Sequence, residues 1–435
     1  MGQQQATLCR SECAAADVST ELLESGPPLI IAAPGLEKMG KDLAKKLGSA
    51  SQDIAAVDWD SFPSGDPNIR FRWQDVQGQH VVFLFDTVDR SKLFEQLALL
   101  QQLQGFPLPD SDDSPRKWKT YAQEGRYTWG RAHRITVVLP WYRPCQMERT
   151  SRWEALEDGA WTNGAPEGRW LDIPFAQSLA ALLAAPAPNP PGKGPALAFD
   201  SRPLEPLWRP PVTLFFVELH EEAPVRSAVA GSTVAIRMER FVPFFLSKFG
   251  DQKSYPGRAQ LFVLFPDHGA YLRYFASVKE VLRLEDDHIL YINKTRVGDK
   301  IKQEQKLYYQ KPSGEADQRS HFKRGQHVLI IDDFTNSGST LFGAVSLVRS
   351  LLTSESGQAL TAEEQKEALP VSIFVSHLVA GYQESTVAKI RQKLHDLGSC
   401  RFYTTDSIPS TTQHLADEPQ AEVLSIADFL IHHVR

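Results

Sequence analysis

The sequence predicts an α/β protein of two related domains, each a mainly parallel sheet flanked by helices. Three observations carry this. From about Pro28, short apolar runs that read as strands alternate with helix-length segments, the pattern of a parallel sheet with crossover helices. The second half repeats the rhythm of the first. One apolar run, Val328–Ile331, ends in adjacent carboxylates and a small hydroxylic turn before the next helix.

The strands expected in order are Leu29–Ala33, His80–Phe85, Ile135–Leu139, Val212–Val217, Leu261–Phe265, Ile289–Ile292, Val328–Ile331, Val371–Val375 and Val423–Leu424; each is a short apolar run that suits a buried strand. The helices expected between them are Glu37–Leu47, Lys92–Gln104, Phe175–Ala185, Arg237–Lys248, Ala270–Val281, Leu341–Leu352, Thr386–Leu397 and Ile426–Val434. Residues 1–27 read as a flexible polar tail, 28–235 as the N-terminal domain and 236–435 as the C-terminal domain. Two insertions interrupt the first domain: a charged one at 110–131 and a Pro/Gly-rich one at 186–211. Lys300–Gln326 reads as a long loop placed to act as a lid. Gly35–Asp42 nearly fits a P-loop, but Asp42 stands where a hydroxyl is needed and would repel phosphate, so the run reads as a first helical turn.

At 435 residues the chain has room for two or three domains, and 42% hydrophobic with 23% charged residues suits a soluble globular protein. A net charge of −6 argues against nucleic-acid or membrane-surface partners. No apolar run approaches a membrane span. Cys9, Cys13, Cys145 and Cys400 lack disulfide-framework spacing, and the N-terminus lacks a signal core and fits a transit peptide poorly. The expectation is a reducing, cytoplasmic setting.

The chemistry concentrates in His327–Thr340, HVLIIDDFTNSGST. Asp332 and Asp333 are placed to accept hydrogen bonds from vicinal sugar hydroxyls. Asn336, Ser337, Gly338, Ser339 and Thr340 open a helix, where amides, hydroxyls and the helix dipole favour a phosphate. The combination points to a sugar phosphate. It resembles the phosphoribosyl-pyrophosphate (PRPP) loop of type I phosphoribosyltransferases and of PRPP synthetases.

Four further segments resemble PRPP synthetases, in the family's order: Phe62-Pro63-Ser64-Gly65-Asp66, Glu218-Leu219-His220, Pro266-Asp267-His268-Gly269 and Asn293-Lys294-Thr295-Arg296. Strings at Gly78–Val81, Phe94–Leu97, Glu148–Arg149, Arg296–Lys300 and Thr405–Ser407 are similar to the divergent plant-type branch of ribose-phosphate pyrophosphokinases. The resemblance implies two type I phosphoribosyltransferase-like domains and the reaction ATP + ribose 5-phosphate → PRPP + AMP. It implies Lys294 and Arg296 as catalytic cations. It implies Phe62, Asp66, Gln146, Glu148 and Arg149 around ATP, and His220 and Asp267 near Mg²⁺. It also implies oligomerisation, as a homo-oligomer or with related subunits, because the Phe62 loop serves a neighbouring subunit in the family.

The chain departs from the family where Gln146 and Met147 replace an Arg and a Gln, where Asn336 replaces an acid and where Ser64 replaces an Asp. Three functions therefore stand side by side: a diphosphokinase, a catalytically weak or inactive regulatory or structural subunit, and a PRPP-using phosphoribosyltransferase. The last would need a base-binding hood that the two α/β halves do not obviously supply.

Overall fold

A computed structural model describes residues 26–49, 57–108, 128–144, 147, 154–155, 161–162, 173–185, 209–252, 255–297, 300–353, 361, 364 and 369–434; of 107–108, 128–129, 154–155, 161–162, 294–297 and 300–305 it describes the backbone alone. Cys9, Cys13, Cys145 and most of the tail and of the two expected insertions lie outside the described residues.

The first sheet has the strand order Leu29–Ala32, His80–Leu84, Arg134–Leu139, Val212–Val217, Ala235–Glu239, every neighbouring pair parallel. The second repeats this sequential order with Leu261–Phe265, His327–Thr335, Val371–Leu378, Cys400–Thr405 and Ala421–Leu424, again parallel. Beyond Leu261–Phe265 it is extended by Ile289–Val297, which pairs parallel, and then by Lys300–Gln310 and Ala316–Arg319, which pair antiparallel. The two mainly parallel sheets are thus the α/β halves that the sequence rhythm implies.

Alternation along each strand sends side chains to two faces. Ile30 and Ala32 face a core between the sheets, while Leu29 and Ile31 face the outer side of the first sheet. The shared core holds helices Glu37–Leu47, Phe241–Gly250, His268–Leu282 and Ile426–Leu430 between the two sheets. Phe245 stacks on Phe374 of the second sheet with centroids 3.9 Å apart, and Phe241 lies 6.2 Å from the same ring. Fully burying each such side chain contributes about 1.5–3 kcal/mol. Leu93–Gln104 and Phe175–Leu183 cover the outer face of the first sheet, and Ser339–Ser350 and Glu384–Leu397 that of the second.

Two expectations are corrected. The helix expected over Arg237–Lys248 is strand Ala235–Glu239 followed by helix Phe241–Gly250, because pairing with Val212–Val217 holds the first part extended. That pairing also keeps 235–239 in the first sheet. The loop expected at Lys300–Gln326 contains two strands, whose charged and glutamine-rich sequence hides them from an apolar-run criterion. Strand Cys400–Thr405 and the hairpin Val57–Ser61/Pro67–Phe71 had no expectation at all.

Candidate functional site

Both sheets present the carboxyl ends of their strands where ligands of parallel α/β proteins bind. At the second sheet a cavity of about 280 Å³ opens there, lined by the continuous run Asp332–Thr340 together with Asp267, Ala270, Arg273 and His220. Leu329–Ile331 are fully buried, which anchors the strand beneath the polar turn. Thr335 Oγ1 accepts the Gly338 N–H at 3.2 Å, and Ser337 Oγ donates to Ser339 Oγ at 3.0 Å. Gly338 has φ +71°, and a Cβ there would stand 2.5 Å from Phe342 Cε2, so both handedness and space demand glycine. Helix Ser339–Ser350 begins at this turn, and its first amides have no intrahelical acceptor, which makes an anion-binding end.

The two acids have different environments. Asp332 is partly exposed in the cavity wall. Asp333 is 3% exposed, and its Oδ2 receives Arg273 Nη1 at 2.5 Å and His220 Nδ1 at 2.6 Å. Its Oδ1 receives the Phe334 N–H at 3.0 Å. Burial alone would raise the Asp333 pKa, but the His220 hydrogen bond and the Arg273 charge hold it well below the usual carboxylate range. An ionised Asp333 has no hydrogen to give, so His220 Nδ1 carries the proton of the 2.6 Å contact. Arg273 Nη2, 3.3 Å from that same nitrogen, is then a neighbour rather than a donor to it.

His220 comes from the end of strand Val212–Val217 and therefore reaches across from the first sheet. Asp267 N-caps helix His268–Leu282, its Oδ1 accepting the Ala270 N–H at 2.8 Å. The cavity thus gathers His220, Asp267, Asp332, Asp333, Asn336, Ser337, Gly338, Ser339 and Thr340. Phe62 and Asp66 do not line it; they form a hairpin turn in which the Phe62 N–H donates to the Asp66 carbonyl at 2.8 Å, and Phe62 is 51% exposed. Gln146, Glu148 and Arg149 lie outside the described residues. Lys294 and Arg296 lie on strand Ile289–Val297, where only their backbone is described. Phe265 pairs with Tyr291, so Lys294 lies further along toward the same sheet end as Asp267. Among the described residues no group of three or more His, Cys, Asp or Glu is arranged to hold a metal ion.

Arg273 escaped the sequence reading. Its signal lay in helix phase: Asp267 caps the helix, and Ala270 and Arg273 follow at three-residue spacing on the face that lines the cavity.

No family model matches the chain. It is 25% identical over 391 residues to ribose-phosphate pyrophosphokinase 3, chloroplastic, of Arabidopsis thaliana, covering 89% of this chain and 71% of that protein. It is 24% identical over 394 residues to ribose-phosphate pyrophosphokinase 4 of Oryza sativa subsp. japonica, covering 89% and 90%. In fold it is similar to a phosphoribosylpyrophosphate synthetase from Mycobacterium smegmatis, with TM-score 0.55 and 19% identity, covering 93% of this chain and 97% of that one. Among the described residues no helix is long and apolar enough to cross a membrane. Read with the geometry of the cavity, these comparisons give the chain its resemblance: it is similar to the ribose-phosphate pyrophosphokinase family, in the plant-type branch.

Proposed function

We propose that this chain is a ribose-phosphate diphosphokinase, transferring the diphosphoryl group of Mg-ATP to the C1 hydroxyl of ribose 5-phosphate to give PRPP and AMP. The observation that carries the proposal is the cavity in which an acid-ended strand, a hydroxyl-lined helix start, Asp267 and His220 converge. In this reading the 5-phosphate sits on the turn Asn336–Thr340 and Asp332 takes the ribose hydroxyls. Asp333, engaged by Arg273 and His220, fixes the wall rather than the sugar. The ribose O1 attacks the β-phosphorus of ATP, the bond from that phosphorus to the α-phosphate oxygen breaks, and AMP leaves. Lys294 and Arg296 neutralise charge on the moving group, because phosphoryl chemistry of this kind depends on positioning and electrostatics.

One carboxylate suits a Mg²⁺ that arrives on nucleotide phosphates and keeps its water, with Asp267 as the residue that would hold it and His220 placed to hydrogen-bond its water or the phosphates. When bound it supplies charge neutralisation on the diphosphoryl oxygens. Phe62, exposed on its hairpin, contacts the nucleotide of a neighbouring copy or related subunit, with Asp66 beside it and Gln146, Glu148 and Arg149 completing the ATP site. A cytoplasmic location is part of the proposal and is checked by fractionation, since relatives are named chloroplastic and mitochondrial.

A second reading, a weak or inactive regulatory subunit, is favoured by Gln146 and Met147 standing where the family has an Arg and a Gln. The deciding experiment incubates purified protein with ATP, Mg²⁺ and ribose 5-phosphate. Equimolar AMP and PRPP, formed only when the sugar phosphate is present, is the expected result. Calorimetric binding of ribose 5-phosphate without turnover selects the second reading, and neither binding nor turnover overturns both.

A further inference from the structure

We infer that Glu218 is a positioning residue whose buried carboxylate locks the turn aiming His220 at Asp333, and that it is not a metal ligand; its effect on turnover rests on the function proposed above. Glu218 is 2% exposed and has φ +48°, a left-handed conformation that a side chain of this size rarely adopts. Such strain persists only where the surroundings over-determine it. Here they do. The Glu218 N–H donates to the Glu239 carbonyl at 2.9 Å, and His377 Nε2 lies 3.2 Å from the Glu218 carbonyl.

The carboxylate accepts four hydrogen bonds: the N–H groups of Phe241 at 2.7 Å and Val242 at 3.1 Å, the Tyr274 hydroxyl at 2.8 Å and the Ser376 hydroxyl at 3.3 Å. Three of these donors crowd Oε2 and the Tyr274 hydroxyl engages Oε1, so both oxygens are held inside the protein, and Glu218 is not among the residues that line the cavity. The donors belong to helix Phe241–Gly250, helix His268–Leu282 and strand Val371–Leu378, so one side chain joins the end of the first sheet to three elements around the second. Two residues on, His220 donates to Asp333 at 2.6 Å. Tyr274 is the neighbour of Arg273, the other partner of Asp333. Both groups that hold Asp333 are therefore tied to Glu218.

Reach, not charge, is the property this role needs. Glu218→Gln keeps the reach: its carbonyl oxygen takes the Phe241 and Val242 amides, and its NH₂ meets Tyr274 Oη, which turns from donor to acceptor. Glu218→Asp keeps the charge but is one methylene too short to satisfy all four donors. A metal ligand would show the reverse order of tolerance.

The experiment compares the full-length variants for ribose 5-phosphate-dependent AMP release across Mg²⁺ concentrations. In parallel it follows the His220 Nδ1–H proton resonance by NMR, identified by its loss in His220→Asn. Expected for Glu218→Gln are kcat within about threefold of the parent, an unchanged Mg²⁺ half-saturation and a retained resonance. Glu218→Asp should lose about tenfold or more in kcat and lose the resonance. An active Glu218→Asp, or a Glu218→Gln that needs about tenfold more Mg²⁺, overturns the inference. If the parent makes no PRPP, the proposed function fails, while the resonance in the two variants still decides the role of Glu218. If Glu218→Asp does not fold, Tyr274→Phe, which removes one donor, is expected to broaden or shift the His220 resonance; an unaltered resonance then overturns the inference.

Discussion

Asp333→Asn should damage stability far more than sugar binding, and Asp332→Asn the reverse. The structure fixes the size of the first effect. Asp333 Oδ2 faces two donors, Arg273 Nη1 and His220 Nδ1, and Oδ1 faces a third, the Phe334 amide. An asparagine must turn its NH₂ toward one set or the other, so every rotamer sets donor against donor. It also leaves the Arg273 guanidinium, 17% exposed, without its counter-charge. Removing one partner of a buried pair costs about 3–5 kcal/mol, because the remaining charge is uncompensated. Asp332 sits partly exposed in the cavity wall, so its loss should cost stability only within about ±0.5 kcal/mol. Losing hydrogen bonds to ribose hydroxyls should weaken ribose 5-phosphate by about 1.5–3 kcal/mol, or roughly 10–150-fold in Kd. Urea unfolding followed by fluorescence and circular dichroism measures the first quantity, and calorimetry with ribose 5-phosphate the second. An Asp333→Asn protein with parental stability and weakened sugar affinity would refute the division of labour between the two acids.

Gly338→Ala should lose about 1–2 kcal/mol from its left-handed backbone alone, with a further loss from the 2.5 Å approach to Phe342, and should weaken phosphate binding; unfolding midpoints and phosphate titration check both. Lys294→Ala should lower kcat by about 100-fold or more with little change in unfolding midpoint, measured by AMP release, if its charge acts on the transferred group. The Asp406 pKa is pushed up to about 6 by burial, so between about pH 4 and 6 the folded state binds more protons than the unfolded chain. That part of the stability is complete below the unfolded pKa and is lost as pH rises through the folded one. Asp406→Asn, which can still accept the Ile426 amide bonded at 2.6 Å, should flatten the decline, as read from urea midpoints across that range.

Much of the architecture was legible because buried parallel strands are short apolar runs. Leu261–Phe265, for instance, is expected and observed with the same bounds. The turn Asn336–Thr340 was legible because it is local: strand, acids, glycine and helix start are contiguous in the chain. What failed depended on distant partners. Ala235–Glu239 is a strand because Val212–Val217 lies beside it, and nothing in its own periodicity says so. The unequal roles of Asp332 and Asp333 follow from a histidine 113 residues away and from Arg273, an otherwise unremarked helical arginine.

The two halves also differ in what they offer a ligand. In each sheet an acid follows the fourth strand and caps the helix after the fifth: Glu218 takes the Phe241 and Val242 amides, and Asp406 the Ile426 amide. Both acids lie where the halves meet, since Glu218 also binds Ser376 of the second sheet and Asp406 feels Lys38 and Asp42 of the first. The difference lies after the second strand. In the second half that strand leads into Asp332–Thr340, with its left-handed glycine and open helix start. In the first half it leads into Asp86, whose carboxylate is taken up by the amides of Val88 at 2.8 Å and Asp89 at 3.2 Å, while Gln96 bonds both the amide and the carbonyl of Asp86. A turn that satisfies its own polar groups has little left to offer a phosphate. The first half instead contributes to the site by reach, sending His220 across to the acid the second half has buried.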